Sequence, residues 1–131
     1  MPSIFTRLAG GELPCHKIME DSDYFSFLEI SPLKPGHALV IPKKETDYIF
    51  DLDDAALSGL VLFAKKAARA IKKAVPCKKV ALIVYGLQVP HAHIHLVPVT
   101  GDPGELNFSN AKKAADEELA LMAEKIRSFT S

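Results

Sequence analysis

The sequence predicts an α+β fold: a five-stranded antiparallel sheet with one long central helix and a C-terminal helix. Three observations predict it. Segments of strand-like and helix-like patterning follow one another in the order β-β-β-α-β-β-α. The connections suit hairpins rather than repeated βαβ units, which argues against a doubly wound parallel sheet. A chain of 131 residues that is 48% hydrophobic has material for one core, so a single domain over residues 1–131 is expected.

Each element has a local reason. Ser3–Ala9 has room for a helical turn or two before Gly10-Gly11 and Pro14 close the opening segment. His16–Glu20 and Tyr24–Ile30 are β-like, and Asp21-Ser22-Asp23 between them is a tight-turn sequence. Ser31-Pro32 and Lys34-Pro35-Gly36 then break the chain. His37–Ile41 resumes as a strand bounded by Pro42. Across Asp51–Val75, Leu57, Leu60, Val61, Ala64, Ala67, Ala68 and Ile71 recur at helical spacing, with Lys65, Lys66, Arg69, Lys72 and Lys73 opposite. Asp51 or Asp53 can cap the start of this helix, and Pro76 stops it.

Lys79–Tyr85 is almost wholly apolar and predicts a strand buried on both faces. Gly86–Pro90 is a short connection to a fifth strand, Ala92–Val99. Gly101-Asp102-Pro103-Gly104 turns the chain away. Asn110–Ser128 then predicts a last helix with Ala115, Leu119, Met122, Ile126 and Phe129 on one side.

Composition excludes several classes. Sixteen basic and 16 acidic residues cancel, so nothing draws the whole molecule to nucleic acid. The lysines of the long helix read as its solvated face. The longest strongly apolar run, Val80–Tyr85, is far too short to span a bilayer. Nothing after Met1-Pro2-Ser3 resembles an export signal, so a cytoplasmic location is expected, with Cys15 and Cys77 as reduced thiols.

The chemistry is concentrated in Pro90-His91-Ala92-His93-Ile94-His95-Leu96, which holds three of the five histidines. In a strand, the period of two places His91, His93 and His95 on one face and Ala92, Ile94 and Leu96 on the other. A surface strand with incidental histidines is one reading. A metal site is a second, although His91 and His95 would stand about 13 Å apart along a strand. Three imidazoles at that spacing do not converge easily on one tetrahedral ion; two of them with His37 could. The third reading, and the preferred one, is acid–base and nucleophilic chemistry on a phosphate. A neutral imidazole is a nucleophile at neutral pH, and neighbouring imidazoles can bind the oxygens and serve the leaving group. That reading needs no metal and no cofactor.

The motifs His91-Ala92-His93-Ile94-His95-Leu96-Val97, Phe27-Leu28-Glu29-Ile30-Ser31-Pro32 and Pro35-Gly36-His37-Ala38-Leu39-Val40-Ile41-Pro42-Lys43 carry a resemblance. With Ile4-Phe5 and Leu13-Pro14 at the start, they resemble the histidine triad (HIT) family in the right order over most of the chain. The resemblance implies that His93 attacks the α-phosphorus of a nucleotide, giving a nucleotidyl-histidine that water hydrolyses. His91 would orient His93 through its backbone carbonyl, and His95 and His37 would contact phosphate oxygens and the leaving group. Glu29 would accept hydrogen bonds from the ribose, and Ile4, Phe5, Leu8, Phe27 and Ile30 would line the base pocket.

The resemblance also implies a purine nucleotide substrate, with a nucleoside phosphoramidate as the first candidate. A dinucleoside polyphosphate, or nucleotide binding with little turnover, is the alternative. A homodimer formed by the long helix and an edge strand is implied as well. The sequence departs from the family at three places. Ser3-Ile4-Phe5-Thr6 stands where some members carry a zinc-binding C-x-x-C, so no structural zinc is expected. Gln88, three residues before His91, stands where members use Ser or Thr on the leaving group; an amide can also donate and accept hydrogen bonds. No Trp is present to build a C-terminal pocket.

Overall fold

The computed structural model describes residues 2–130, so Met1 of the opening segment and Ser131 lie outside the described residues. The elements are α1 (Ile4–Ala9), β1 (Lys17–Glu20), β2 (Tyr24–Leu28), β3 (Ala38–Pro42), α2 (Asp54–Ala74), β4 (Lys79–Ile83), β5 (Ile94–Val99) and α3 (Asp116–Arg127). Short 3-10 turns occupy Ile49–Asp51 and Phe108–Asn110. The five strands form one antiparallel sheet in the order β1-β2-β3-β5-β4. The predicted α+β architecture is the one found.

Alternation along the strands splits the core in two. Ile18, Leu28, Ala38, Val40, Ile94 and Leu96 face α2, where Leu60, Phe63, Ala64, Ala67 and Ile71 meet them; Leu119, Ala123 and Ile126 of α3 close one side. Phe25, Phe27, Leu39 and Ile41 point the other way and are covered by Phe5 of α1, with Leu8, Cys15 and Val89 around them. His95 pairs with Leu39 across β3 and β5, so the histidines belong to this second face.

Local chemistry explains the element ends. Asp21 Oδ1 accepts from the backbone N–H of Asp23 and Tyr24, both at 2.8 Å, and fixes the β1–β2 turn. Asp53 caps α2 by accepting from Ala56 N–H at 2.8 Å, an interaction that typically contributes about 1 kcal/mol. Asp51 lies in the preceding 3-10 turn instead. Gly36 turns the chain into β3 at φ +95, a conformation that favours glycine, with Val75 packed where a side chain would project.

Three expectations are corrected. Lys79–Tyr85 does not make a strand buried on both faces: β4 ends at Ile83, lies at the sheet edge, and leaves Leu82 half exposed. An apolar run reports affinity for cover, and within this chain only part of that cover is supplied. The fifth strand begins at Ile94 rather than Ala92, because the residue of β3 that would continue the ladder is Pro42, which has no N–H to donate. The N–H of Ala92 goes instead to Thr46 O at 2.6 Å. The last helix begins at Asp116, not Asn110. Residues 111–115 run outside any helix, tied down by Ala114 N–H to Ile30 O at 2.9 Å, and Phe129 lies beyond the helix, half exposed. No helix among the described residues is long and apolar enough to cross a membrane.

Candidate active site

Although β5 starts late, alternation still sets the faces: Ala92, Ile94 and Leu96 enter the core against α2, and the three histidines turn to the side of Phe5 and Leu39. His91 is fully buried before the strand begins, His93 sits one residue short of it, and only His95 lies in the ladder. The rings of His93 and His95 still meet, with centroids 5.1 Å apart. The Phe5 ring stands edge-on to His93 at 4.9 Å.

The hydrogen bonds fix which nitrogen carries each proton. A carbonyl only accepts, so His91 Nε2–H donates to Pro42 O at 2.7 Å. With that ring proton on Nε2, His91 Nδ1 accepts from the Ser3 hydroxyl at 2.7 Å. By the same rule His93 Nδ1–H donates to His91 O at 2.8 Å, which leaves His93 Nε2 with a bare lone pair.

The other end of the row is set by a backbone donor. Leu33 N–H donates to His37 Nδ1 at 3.0 Å, so His37 carries its proton on Nε2. That Nε2–H donates to His95 Nδ1 at 3.0 Å, so neutral His95 carries its proton on Nε2. The chain ends in one acceptor, His93 Nε2, beside one donor, His95 Nε2–H. No buried side-chain nitrogen or oxygen among the described residues lacks a partner. These two Nε2 atoms have no hydrogen-bond partner among the described residues, so both are reached by solvent.

Burial keeps the rings neutral. Desolvation, with the adjacent His95 adding to it, depresses His37 to about 3. Desolvation and the neighbouring His93 depress His95 to about 4. His93 is lowered too, since burial outweighs the opposing pull of the His91 carbonyl. Protonating His95 on Nδ1 would also set two N–H groups against each other, because Leu33 prevents His37 from reversing.

Glu29 follows β2 half-buried; desolvation raises its pKa, opposed by a hydrogen bond from the Ser31 backbone. Its own N–H donates to His37 O at 3.0 Å, which ties it to the donor end of the row. Phe27 is buried beneath Phe5, their centroids 5.7 Å apart, and Leu8 packs against the same cluster. Ile4 and Ile30 are about half exposed. Gln88 is exposed on the β4–β5 connection. A groove of about 710 Å³ reaches His93, and Gly86, Leu87 and Pro90 of that connection line it, while Gln88 does not.

Sequence reasoning passed over several contributors. Ser3, Thr6 and Glu45 gather at His91. A serine directly before a helical segment is an N-cap signal that could have singled out Ser3, whereas nothing in the sequence joins Glu45 to a histidine 46 positions away. Phe108 stands edge-on to His95 at 5.0 Å and to His37 at 6.1 Å. Its loop is anchored by Glu105, which pairs with Lys34 at 2.8 Å and accepts from the Thr100 and Gly101 backbone. Lys34 is thereby part of the anchor of this loop.

An antiparallel α+β domain with an ordered row of imidazoles on one sheet face defines the class. The HIT domain model matches residues 10–102, and the chain belongs to the HIT family. It is 33% identical to an adenosine 5'-monophosphoramidase of Saccharomyces cerevisiae over 138 aligned residues, covering 91% of this chain and 82% of the relative. It is 29% identical to the adenosine 5'-monophosphoramidase of Schizosaccharomyces pombe, covering 98% of each. Among solved structures, a Hit-like protein involved in cell-cycle regulation from Bartonella henselae, determined with an unknown ligand, superposes with a TM-score of 0.86 at 32% identity. That match covers 97% of this chain and 95% of the other.

Proposed function

We propose that this protein, acting as a single domain, is a nucleotide hydrolase that cleaves a nucleoside phosphoramidate, with a purine nucleoside preferred. The observation that carries the proposal is the bare, solvent-reached Nε2 of His93, held by the bond from Nδ1–H to the His91 carbonyl. Kinship with two monophosphoramidases supports the choice of substrate.

His93 Nε2 attacks the α-phosphorus; the N–P bond forms as the P–N bond to the leaving amine breaks, and the amine takes its proton from solvent. His95 Nε2–H donates to a phosphate oxygen whose charge grows in the transition state. His37 acts behind it, fixing that donor. Water then attacks phosphorus and gives up a proton to solvent, the bond to His93 breaks, and the nucleoside monophosphate leaves with the lone pair restored on Nε2. Glu29 takes the ribose hydroxyls. Phe5, Phe27 and Leu8 form the floor of the base pocket, and Ile4 and Ile30 form its mouth. No step calls for a metal or cofactor. Gln88 has a role at the leaving group only if the β4–β5 connection moves toward the site.

Release of AMP from adenosine 5'-phosphoramidate by chelator-treated protein, with folded His93→Ala beside it, tests this reading. Turnover should fall at least about a thousandfold in the variant. If wild type is as inactive as the variant, the phosphoramidate assignment fails. A dinucleoside polyphosphate substrate, or nucleotide binding without turnover, then takes its place.

The working unit in this proposal is a homodimer. The edge strand β4 leaves Leu82 uncovered, and with Tyr48, Phe50, Val61, Val84 and Tyr85 it borders the apolar groove that reaches His93. An apolar strip along an unpaired strand edge is a surface that a second copy can cover. Sedimentation equilibrium should return twice the mass of the chain; a monomer at micromolar concentration would overturn this part.

A further inference from the structure

The three residues gathered at His91 have no part in the mechanism so far, and with the His91 ring proton on Nε2 alone their hydrogen bonds run in one direction. Glu45 Oε1 accepts twice, from Ser3 N–H at 2.6 Å and from the Thr6 hydroxyl at 2.7 Å. Thr6 has then spent its only hydroxyl proton. Its oxygen lies 3.3 Å from His91 Nδ1 but has nothing to donate there. The Ser3 oxygen accepts from Thr6 N–H at 3.1 Å as the N-cap of α1. Its own proton then goes to His91 Nδ1 at 2.7 Å rather than to the Thr6 oxygen, which lies farther off at 3.3 Å. His91 Nε2–H in turn goes to Pro42 O.

The cluster joins three segments that are remote in sequence. Ser3 and Thr6 open α1, Glu45 follows β3, and His91 precedes β5. One residue further along on two of these segments, Ala92 N–H donates to Thr46 O at 2.6 Å, so the approach to β5 is pinned twice at one point. Ser3 is buried, while Glu45 remains part exposed. Both ring nitrogens of His91 are occupied, and its carbonyl is the acceptor that sets the His93 tautomer. Position is therefore handed on from hydroxyl to ring, and from backbone carbonyl to the next ring.

We infer that Ser3, Thr6 and Glu45 form a positioning cluster that holds the His91 ring, and through the His91 carbonyl the His93 ring, in one tautomer and one orientation. None of the three touches substrate. The inference rests on the role proposed for His93, but half of its test is independent of turnover.

The experiment compares Ser3→Ala, Ser3→Thr and Glu45→Ala with wild type by steady-state release of AMP and by ¹⁵N NMR of the imidazole nitrogens. Ser3→Ala should lower kcat about tenfold with KM changed less than twofold, because an interaction on the nucleophile rather than on bound substrate is lost. In its spectrum the His93 Nδ1–H signal should broaden, and the His93 nitrogens should move toward a mixture of tautomers. Ser3→Thr keeps the hydroxyl and should restore both readouts. Glu45→Ala alters a part-exposed side chain and should give the same changes at about threefold in kcat.

A cluster that merely anchored α1 would lower thermal stability and leave the His93 spectrum and kcat of the folded variants unchanged; that result overturns the inference. If Ser3→Ala does not fold, Glu45→Ala decides alone. If wild type turns over no phosphoramidate, the proposed function fails, while the NMR comparison still decides the cluster.

Discussion

His91 and His37 are both fully buried imidazoles with both ring nitrogens engaged, yet they stand at opposite ends of the row and end in different partners. His91 is held between oxygens, a backbone carbonyl and a serine hydroxyl. His37 is held between a backbone N–H and a second imidazole. The first arrangement ends in the His91 carbonyl, which can only accept, and so frees a lone pair on His93 Nε2. The second begins from Leu33 N–H, which can only donate, and so delivers a proton to His95 Nε2. Neighbouring imidazoles thus acquire opposite character from the two backbone groups that terminate their chains. No charged imidazole is needed to give one a free lone pair and the other a free N–H, the two groups the proposed chemistry uses.

The sharpest way to break the donor end is His95→Ala, which removes the N–H itself. The kcat for AMP release should fall about a hundredfold, in the range seen when one donor to a transition-state oxyanion is removed. His37→Ala leaves the donor but frees its tautomer, and should cost about tenfold in kcat. An equal loss in both variants would mean that His37 touches substrate directly. At the other end, His91→Ala leaves the Pro42 carbonyl and the Ser3 hydroxyl without their buried partner. Denaturant unfolding should show a loss of about 2–4 kcal/mol from the cavity and the unsatisfied groups together.

Acid sharpens the same comparison. His37 and His95 are held near 3 and 4 in the folded protein, against about 6.5 for the free side chain. Between those values the unfolded chain binds the more protons, so stability falls as the pH falls. The stability these neutral rings contribute is complete above about pH 6.5 and is lost progressively toward about 4 and then 3, at up to about 1.4 kcal/mol per pH unit for each ring. Unfolding midpoints taken between pH 7 and pH 4 should show this slope, and His37→Ala should flatten it. The acid limb of kcat/KM, which reports the free protein, should likewise lie below pH 6.5.

A smaller effect is expected at the turn that delivers His37. Gly36→Ala forces a side chain onto φ +95, with its Cβ 2.8 Å from Val75 Cγ2. A loss of about 1–3 kcal/mol, read as a Tm lower by several degrees, should accompany it.

Much of the fold was legible because it is written in local patterns. Leu60, Ala64, Ala67 and Ile71 recur with the period of α2, Asp53 and Pro76 bracket it, and Phe25 and Phe27 alternate with Ser26 and Leu28 across β2. The failures share one cause, that pairing and cover are decided by residues far away. The apolar run of β4 lies at an edge, where Leu82 stays half exposed and Tyr85 mostly so. Alternation put His91 and His93 in a strand, but the ladder stops at Val40 and Ile94 because Pro42 cannot donate.

The histidine row was legible where the motif lies; of the groups that fix its protons, the His91 carbonyl was expected, and the Leu33 N–H and Ser3 hydroxyl were not. Leu33 acts through its backbone, which no side-chain motif records. Glu45 and Phe108 reach the row from loops, and only the tertiary fold brings them near it.

The central claim is that His93 Nε2 is the group that bonds to phosphorus. Rapid quenching of the protein with adenosine 5'-phosphoramidate, followed by peptide mass spectrometry, tests it most directly. An adenylyl group on the peptide containing His93, formed and lost at rates that account for turnover and absent from His93→Ala, is the predicted result. Turnover with the label on another residue, or with no covalent adduct within the quench time, would contradict it.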